Sequence, residues 1–295
     1  MANLLTKLKQ FLFRPEKGLT TNQVESTQSQ SPKIFQNELK NFEYFSAQSI
    51  GRVRTQNEDS LFTSSVHLAG NERDLHIGLF IIADGMGGHH HGEIASSLAV
   101  AAIAGEVLEK LVIPLSLNNF SENHVISIHE LLGHAISQAQ NTVTNTVPGA
   151  GTTLTIGVIL NQDITIAHIG DSRCYLQSVN GQIKCLTSDH SFVNRLVDLG
   201  QITKAEAENH PQKNILYKAV GQKGTVEADI ETFALSSGDV LLFCSDGLWG
   251  QFSHDTLQTI IQGQGSLAEI GEALVTNANE SGGPDNISLI LVRVP

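Results

Sequence analysis

Long hydrophobic runs are missing from this chain of 295 residues. No stretch approaches the roughly 18 consecutive apolar residues that a membrane-spanning helix needs, and the N-terminus lacks an apolar core followed by a small-residue cleavage site. Both absences lead to the expectation of a cytoplasmic protein. Cysteine is scarce: Cys174, Cys185 and Cys244 are odd in number and never in CxxC spacing, which argues against a disulfide frame and against a thiolate zinc cluster. Cations are few as well, with 18 Lys and Arg against 30 Asp and Glu and a net charge of −12. Sequence-independent binding of nucleic acid rests on cations that neutralise phosphates, so no nucleic-acid partner is expected. What is present, 40% hydrophobic and 16% charged residues, describes a globular chain able to bury a full core as one large domain or two small ones.

Residues 1–13 place Leu4, Leu5, Leu8, Phe11 and Leu12 at roughly helical spacing with Lys7 and Lys9 between them, until Pro15 ends the pattern. A short basic amphipathic helix is expected there, either as a flap on the domain or as a weak docking element for a membrane or a partner groove. A polar tether at 20–31 follows, and 1–41 as a whole is read as helix plus tether ahead of a domain spanning 42–295. Apolar runs rich in Ile, Val, Leu and Thr at 77–83, 152–160, 164–170, 173–179, 239–245 and 286–294 predict strands buried on both faces. Helical periodicity is found at 93–112, 125–143 and 266–278, with a shorter candidate at 191–199. The runs 164–170 and 173–179 are too close for a helical crossover and are expected to form a hairpin. The predicted class is α+β, mostly antiparallel, with long helices outside the sheets.

Carboxylates recur where these strands end. Asp84 closes Ile81-Ile-Ala-Asp84 and is followed by Gly85-Met86-Gly87-Gly88, whose small residues let backbone carbonyls approach a ligand. Asp246-Gly247, Asp171-Ser172 and Asp285-Asn286 repeat the grammar, and Glu58-Asp59 adds an acidic pair. A single Asp-Gly after a strand is ordinary turn chemistry. Five acidic sites at element ends without matching lysines are harder to obtain from turns, and if they converge they repel one another unless a divalent cation holds them. Oxygen donors of this kind suit Mg²⁺ or Mn²⁺.

Taken in order, Arg54-Thr-Gln-Asn-Glu-Asp-Ser60, Asp84-Gly-Met-Gly-Gly-His-His-His-Gly-Glu-Ile-Ala-Ser96, Gly151-Thr-Thr153, Gly170-Asp-Ser-Arg173, Leu186-Thr-Ser-Asp-His-Ser191, Cys244-Ser-Asp-Gly247 and Asp285-Asn286 resemble the motifs of the metal-dependent serine/threonine protein phosphatases of type 2C, bacterial branch. The match runs from about residue 45 to the C-terminus. The resemblance implies an αββα sandwich, two antiparallel sheets flanked by helix pairs, with metals at one edge. It implies two or three Mn²⁺ or Mg²⁺ ions. By the same resemblance Asp84 would bridge two of them with the carbonyl of Gly85 on one, Asp246 and Asp285 would complete the first, Glu58 or Asp59 would serve the second, directly or through water, and Asp171 would join Asp246 at a third.

Two cations lower the pKa of a water and offset phosphate charge, so no cysteine nucleophile is required, and none of the three lies in a Cys-x₅-Arg loop. Arg54 offers the planar fork that matches phosphate oxygens. A general acid must protonate the leaving oxygen. Met86 stands where eukaryotic relatives place a histidine, which leaves His89 as first candidate and a cation-held water as the alternative. His90 and His91 read as incidental polar loop, Gly151-Thr152-Thr153 as packing beneath the site, Trp249 and Phe252 as core or loop anchors, and residues 187–217 as a variable flap beside it. The implied activity is hydrolysis of phosphoserine and phosphothreonine on proteins by a monomer, opposite a cognate Ser/Thr kinase. A catalytically weak phosphatase-fold binding module is the alternative; a metal nuclease conflicts with the net charge.

Overall fold

In the computed structural model the described residues are 42–69, 74–87, 91–117, 127–263 and 265–295. The helix expected at 1–13 and the tether at 20–31 lie outside them. In chain order the strands are β1 (Glu43–Ser49), β2 (Asp59–Ala69), β3 (Asp74–Met86), β4 (Gly151–Thr152), β5 (Leu154–Leu160), β6 (Asp163–Ile169), β7 (Arg173–Gln177), β8 (Ile183–Cys185), β9 (Asp229–Ala234), β10 (Val240–Cys244) and β11 (Ile287–Arg293). One sheet has the order β1-β11-β10-β7-β8 and the other β2-β3-β5-β6-β9, with β4 paired to β3. Every pairing is antiparallel.

Central strands alternate between two cores, which is why they read as unbroken apolar runs. In β3, Leu79, Ile81 and Ala83 face a core shared with helices, while Phe80 and Ile82 face the second sheet. In β10, Val240, Leu242 and Cys244 face helices on the other side, and Leu241 and Phe243 return to the inter-sheet core. The helices α1 (Gly92–Val107) and α2 (Ile128–Thr146) cover the first outer face; α7 (Leu267–Glu280), reached through α3 (Phe192–Asp198), α4 (Lys204–Glu208), α5 (Asp246–Trp249) and α6 (His254–Ile261), covers the second. Four layers result, in the order helix, sheet, sheet, helix, as the sequence predicts.

Each long helix presents one apolar stripe. Ala95, Ala99, Ile103 and Val107 line α1 at intervals of four, and Leu267, Ile270, Leu274 and Ala278 line α7. Reciprocal capping boxes start α2 at Ser127 with Glu130, and α7 at Ser266 with Glu269. After α1 the helix widens into a π-helical turn, Leu108–Val112, before Ile113–Ser116. Pro114 accounts for it: a regular helix would press its ring against the carbonyl four residues back.

The hairpin expected of residues 164–170 and 173–179 does not form. β6 pairs with β5 and β9 in one sheet, whereas β7 pairs with β10 and β8 in the other. Gly170, Asp171 and Ser172 carry the chain from sheet to sheet, and Gly170 has φ +109°, a left-handed conformation that a side chain resists. The hairpin in this region is β5–β6, turned at Asn161 with φ 56°.

Phe243 is fully buried between the sheets, its ring 6.2 Å from that of Phe80 and packed over Gly157. Phe243→Ala is expected to lower unfolding free energy by about 3–5 kcal/mol, read from the urea midpoint. A loss below about 1 kcal/mol would mean that the two sheets do not depend on this contact.

Candidate metal centre

The strand ends bring acids together from both sheets. Asp59 opens β2 directly opposite Asp84 near the end of β3. Asp246 follows β10 and Asp285 precedes β11, and these two strands are neighbours. Ser245 joins the sheets: its hydroxyl donates to Asp59 Oδ2 at 2.9 Å and accepts from the amide of Ser288 at 3.0 Å. Asp59 is buried, at 7% exposure.

Backbone contacts hold the arrangement. The Asp84 amide donates to Thr153 Oγ1 at 2.8 Å, and the Asp84 carbonyl accepts from the Thr153 amide at 2.8 Å and from the Thr152 hydroxyl at 2.9 Å. Thr152 and Thr153 therefore lie beneath the site as expected. At Gly85 a Cβ would stand 2.2 Å from the carbonyl oxygen of Gly92 and 2.5 Å from that of Glu58. Only glycine lets the end of β3, the start of α1 and the Glu58 loop touch in this way. Asn286 organises the loop from 50 to 58: its Oδ1 accepts from the Glu58 amide at 2.9 Å, and its Nδ2 donates to the carbonyls of Ile50 at 3.0 Å and Gln56 at 2.9 Å.

Asp171, 8% exposed, enters from the sheet crossing. The preceding residue is held through both of its backbone groups: His190 Nδ1 accepts from the Gly170 amide at 3.0 Å, and His168 Nε2 lies 3.0 Å from the Gly170 carbonyl. Burial pushes His168 down to about 3, so its ring is neutral and Nε2 carries the donated proton, with Nδ1 facing the Thr155 hydroxyl at 2.9 Å. Trp249 donates its indole N–H to the Asp171 carbonyl at 2.9 Å, beneath the guanidinium of Arg173 at 3.5 Å. It is an anchor, as expected.

The acids are short of positive charge. Arg54 is paired with Asp285 at 2.6 Å, and Arg173 forks onto Asp189 at 2.9 and 2.7 Å. Desolvation, then the charge of neighbouring aspartates, pushes Asp171 up to about 8 and holds Asp84 well above the carboxylate range. Asp59 rises to about 7 and Asp246 to about 6, chiefly through desolvation and against the pull of hydrogen bonds. The charge of Asp246 is among the neighbouring charges that raise Asp84. Asp59 Oδ1 and Asp246 Oδ1 are sealed from water without a hydrogen-bond partner. Orphaned oxygens and proton-retaining carboxyls, all hard donors, are the environment a divalent cation satisfies. Among the described residues no three His, Cys, Asp or Glu side chains enclose a single point by themselves, so further oxygens, the Gly85 carbonyl or water, would complete any ion's shell.

The family profile described as Protein phosphatase 2C matches residues 52–288. This chain belongs to the protein phosphatase 2C family. Protein phosphatase PhpP of Streptococcus pneumoniae is 38% identical over 246 residues, covering 83% of this chain and 94% of that protein. Serine/threonine phosphatase stp of Listeria monocytogenes is 35% identical over 245 residues, covering 82% and 92%. Among solved structures, the S. agalactiae serine/threonine phosphatase superposes with TM-score 0.73 at 34% identity, covering 86% of this chain and 100% of that one. The catalytic domain of PstP in complex with two manganese ions gives 0.69 at 30% identity, covering 86% and 99%.

Against this protein phosphatase 2C frame, the structure brings Arg54, Asp59, Asp84, Gly85, Asp171, Asp246 and Asp285 to one edge of the sandwich. The Glu58 carbonyl accepts from the Gly85 amide at 3.1 Å, and its side chain lies against Gly92 at the start of α1. His89 and His90 lie outside the described residues; His91 is exposed. The region 187–217 folds as α3 and α4, with Tyr217 and His190 bonded at its base at 3.0 Å. The sequence alone assigns no role to Ser245, Asn286, His168 or His190, although Ser245, Asn286 and His190 sit inside the quoted motifs.

Two outcomes follow. A carboxyl whose pKa is raised by folding takes up protons as the chain folds. The contribution of these carboxyls to the stability of the cation-free protein is therefore largest below the ordinary carboxylate range and is lost as pH rises through the folded values of about 7 and 8 for Asp59 and Asp171. The thermal midpoint in EDTA should fall from pH 7 to pH 8.5, a window above the depressed histidines; a rise there would refute the acid cluster. Asn286→Ala strands the three groups it serves and should cost about 1–3 kcal/mol by urea unfolding, with weaker Mn²⁺ binding. An unaltered midpoint would show that the 50–58 loop holds itself.

Proposed function

We propose that this chain hydrolyses phosphoserine and phosphothreonine on proteins in a divalent-cation-dependent reaction, opposite a Ser/Thr kinase. The observation that carries it is the convergence of five aspartates with two orphaned, water-excluded oxygens. Family membership supports the same reading, as do the relatives named serine/threonine phosphatase.

The residues that would hold Mn²⁺ or Mg²⁺ are Asp84 and the Gly85 carbonyl, with Asp246 and Asp285 on one side and Asp59 or Glu58 on the other; Asp171 with Asp246 offers a third position. When bound, the cations acidify a water and neutralise charge on the transferring phosphoryl group. Arg54 is the phosphate-orienting group. Its guanidinium rests on Asp285, and a phosphate competes for the same planar fork with oxygens of matching spacing. Ser245 and Asn286 keep Asp59 and the 50–58 loop in place while Arg54 changes partner. Thr153 does the same for Asp84. His89 is the proposed donor of the leaving-group proton, and residues 187–217 the flap that shapes substrate choice. Nucleophilic cysteine is unsupported: burial raises the thiol pKa of Cys174, Cys185 and Cys244, keeping all three neutral.

Hydrolysis of p-nitrophenyl phosphate and of a phosphothreonine peptide should require Mn²⁺ or Mg²⁺ and stop in EDTA. Asp246→Asn should lower kcat by roughly 10²–10³-fold, the loss typical of one preorganised electrostatic contributor. Arg54→Ala should lower kcat/KM roughly 10- to 100-fold, as loss of charged hydrogen bonds worth about 1.5–3 kcal/mol implies, with Mn²⁺ binding retained. Full activity in excess EDTA is the result that overturns the reading.

A further inference from the structure

A carboxylate outside the acid cluster holds one of the rings that support Asp171. Asp229 opens β9 directly opposite His168 on β6, and its two oxygens take different partners. Oδ2 accepts from His190 Nε2 at 3.1 Å, and Oδ1 accepts from Lys218 Nζ at 2.9 Å. The His190 side chain is 3% exposed and that of Asp229 53%, so a surface acid reaches a buried ring. That ring lies between His168, stacked at 5.0 Å, and Tyr217, edge-on at 5.6 Å. Packing of this kind fixes the plane of the ring but not which nitrogen carries the proton.

Two hydrogen bonds decide the proton's place. The Gly170 amide can only donate, so His190 Nδ1, 3.0 Å away, must be bare, and the neutral imidazole carries its proton on Nε2. Asp229 is the acceptor that this proton meets. The other tautomer would set a ring N–H against the Gly170 amide and a bare nitrogen against a carboxylate, two repulsions in place of two bonds. Gly170 is tied to His190 a second time, its carbonyl accepting from the His190 amide at 2.7 Å. We propose that Asp229 is a positioning residue for Asp171, acting through the Nε2–H tautomer of His190 and the Gly170 amide. The inference rests on Asp171 serving the cation position proposed above. Lys218 occupies the far oxygen and ties the end of the 187–217 segment to the same carboxylate, but the orientation of the ring is set by Asp229.

The test uses the full-length chain, first free of cations and then titrated with Mn²⁺, in the wild type and in Asp229→Ala, Lys218→Met and Asp171→Asn. Asp229 is exposed, so alanine there opens no cavity in the core. In Asp229→Ala, long-range proton–nitrogen NMR of the histidine rings should show His190 losing its single Nε2–H pattern. The Gly170 amide should exchange with deuterium roughly 10-fold faster, the fold-change of one hydrogen bond to a charged group. The Mn²⁺ ion lost in Asp171→Asn should bind Asp229→Ala more weakly by a similar factor. Lys218→Met leaves the His190 contact in place and should keep the wild-type ring pattern and exchange rate. An unchanged His190 pattern and Gly170 exchange in Asp229→Ala would overturn the proposal. An equal loss in Lys218→Met would overturn it too, because the carboxylate would then act as a tether for the flap. Mn²⁺ binding indifferent to Asp171→Asn, with Gly170 still loosened in Asp229→Ala, would fault the cation role of Asp171 and uphold the relay.

Discussion

The repulsion among carboxylates that the fold presses together is the constraint from which the rest follows. Asp59, Asp84, Asp171 and Asp246 are all held above the usual aspartate range by desolvation and by one another's charge. Folding such a group without a counter-charge costs free energy that the remainder of the protein must offset. Two apolar cores flanking the sheets and a third between them supply it. The acids sit at one end of this scaffold, at strand termini where the ladders stop and the side chains are free to turn inward.

Rigidity at that end comes from polar groups that touch the acids or their backbones. Ser245 ties the two sheets through Asp59, Thr153 fixes the Asp84 amide, and Asn286 bonds three backbone groups of the 50–58 region. The two histidines around Gly170 do the same for Asp171. The Thr153, Asn286 and histidine contacts are made to backbone groups and so do not depend on the charge of the acids, whereas Ser245 bonds the Asp59 carboxyl itself.

Much of this was legible in the residues. Strands buried on both faces appear as continuous apolar runs, and the αββα layering and the acidic edge follow from the ordered motifs. The edge strands β1, β2 and β9 were not legible: EYFSAQS at β1 and DIETFA at β9 alternate with exposed polar residues and look like loop. The 164–179 hairpin failed for a different reason. Local spacing shows that a chain turns at Asp171 but not that the two strands part into separate sheets, a choice made by partners β9 and β10, some 60 residues distant in sequence. The supports of the site were hidden similarly. Ser245 and Asn286 are unremarkable polar residues until tertiary structure sets Asp59 and the Glu58 amide against them. The acids themselves were visible because an aspartate recurs at the ends of several apolar runs, a repetition that single turns do not produce.

The central claim, that these carboxylates retain protons which a divalent cation displaces, is tested most directly by titrating the protein with Mn²⁺ at pH 6.5 in two buffers of different ionisation enthalpy. The difference in heat counts the protons released. The account predicts a net release at pH 6.5 that shrinks as pH rises to 9 and falls in Asp84→Asn. Mn²⁺ binding without proton release at pH 6.5 would contradict it.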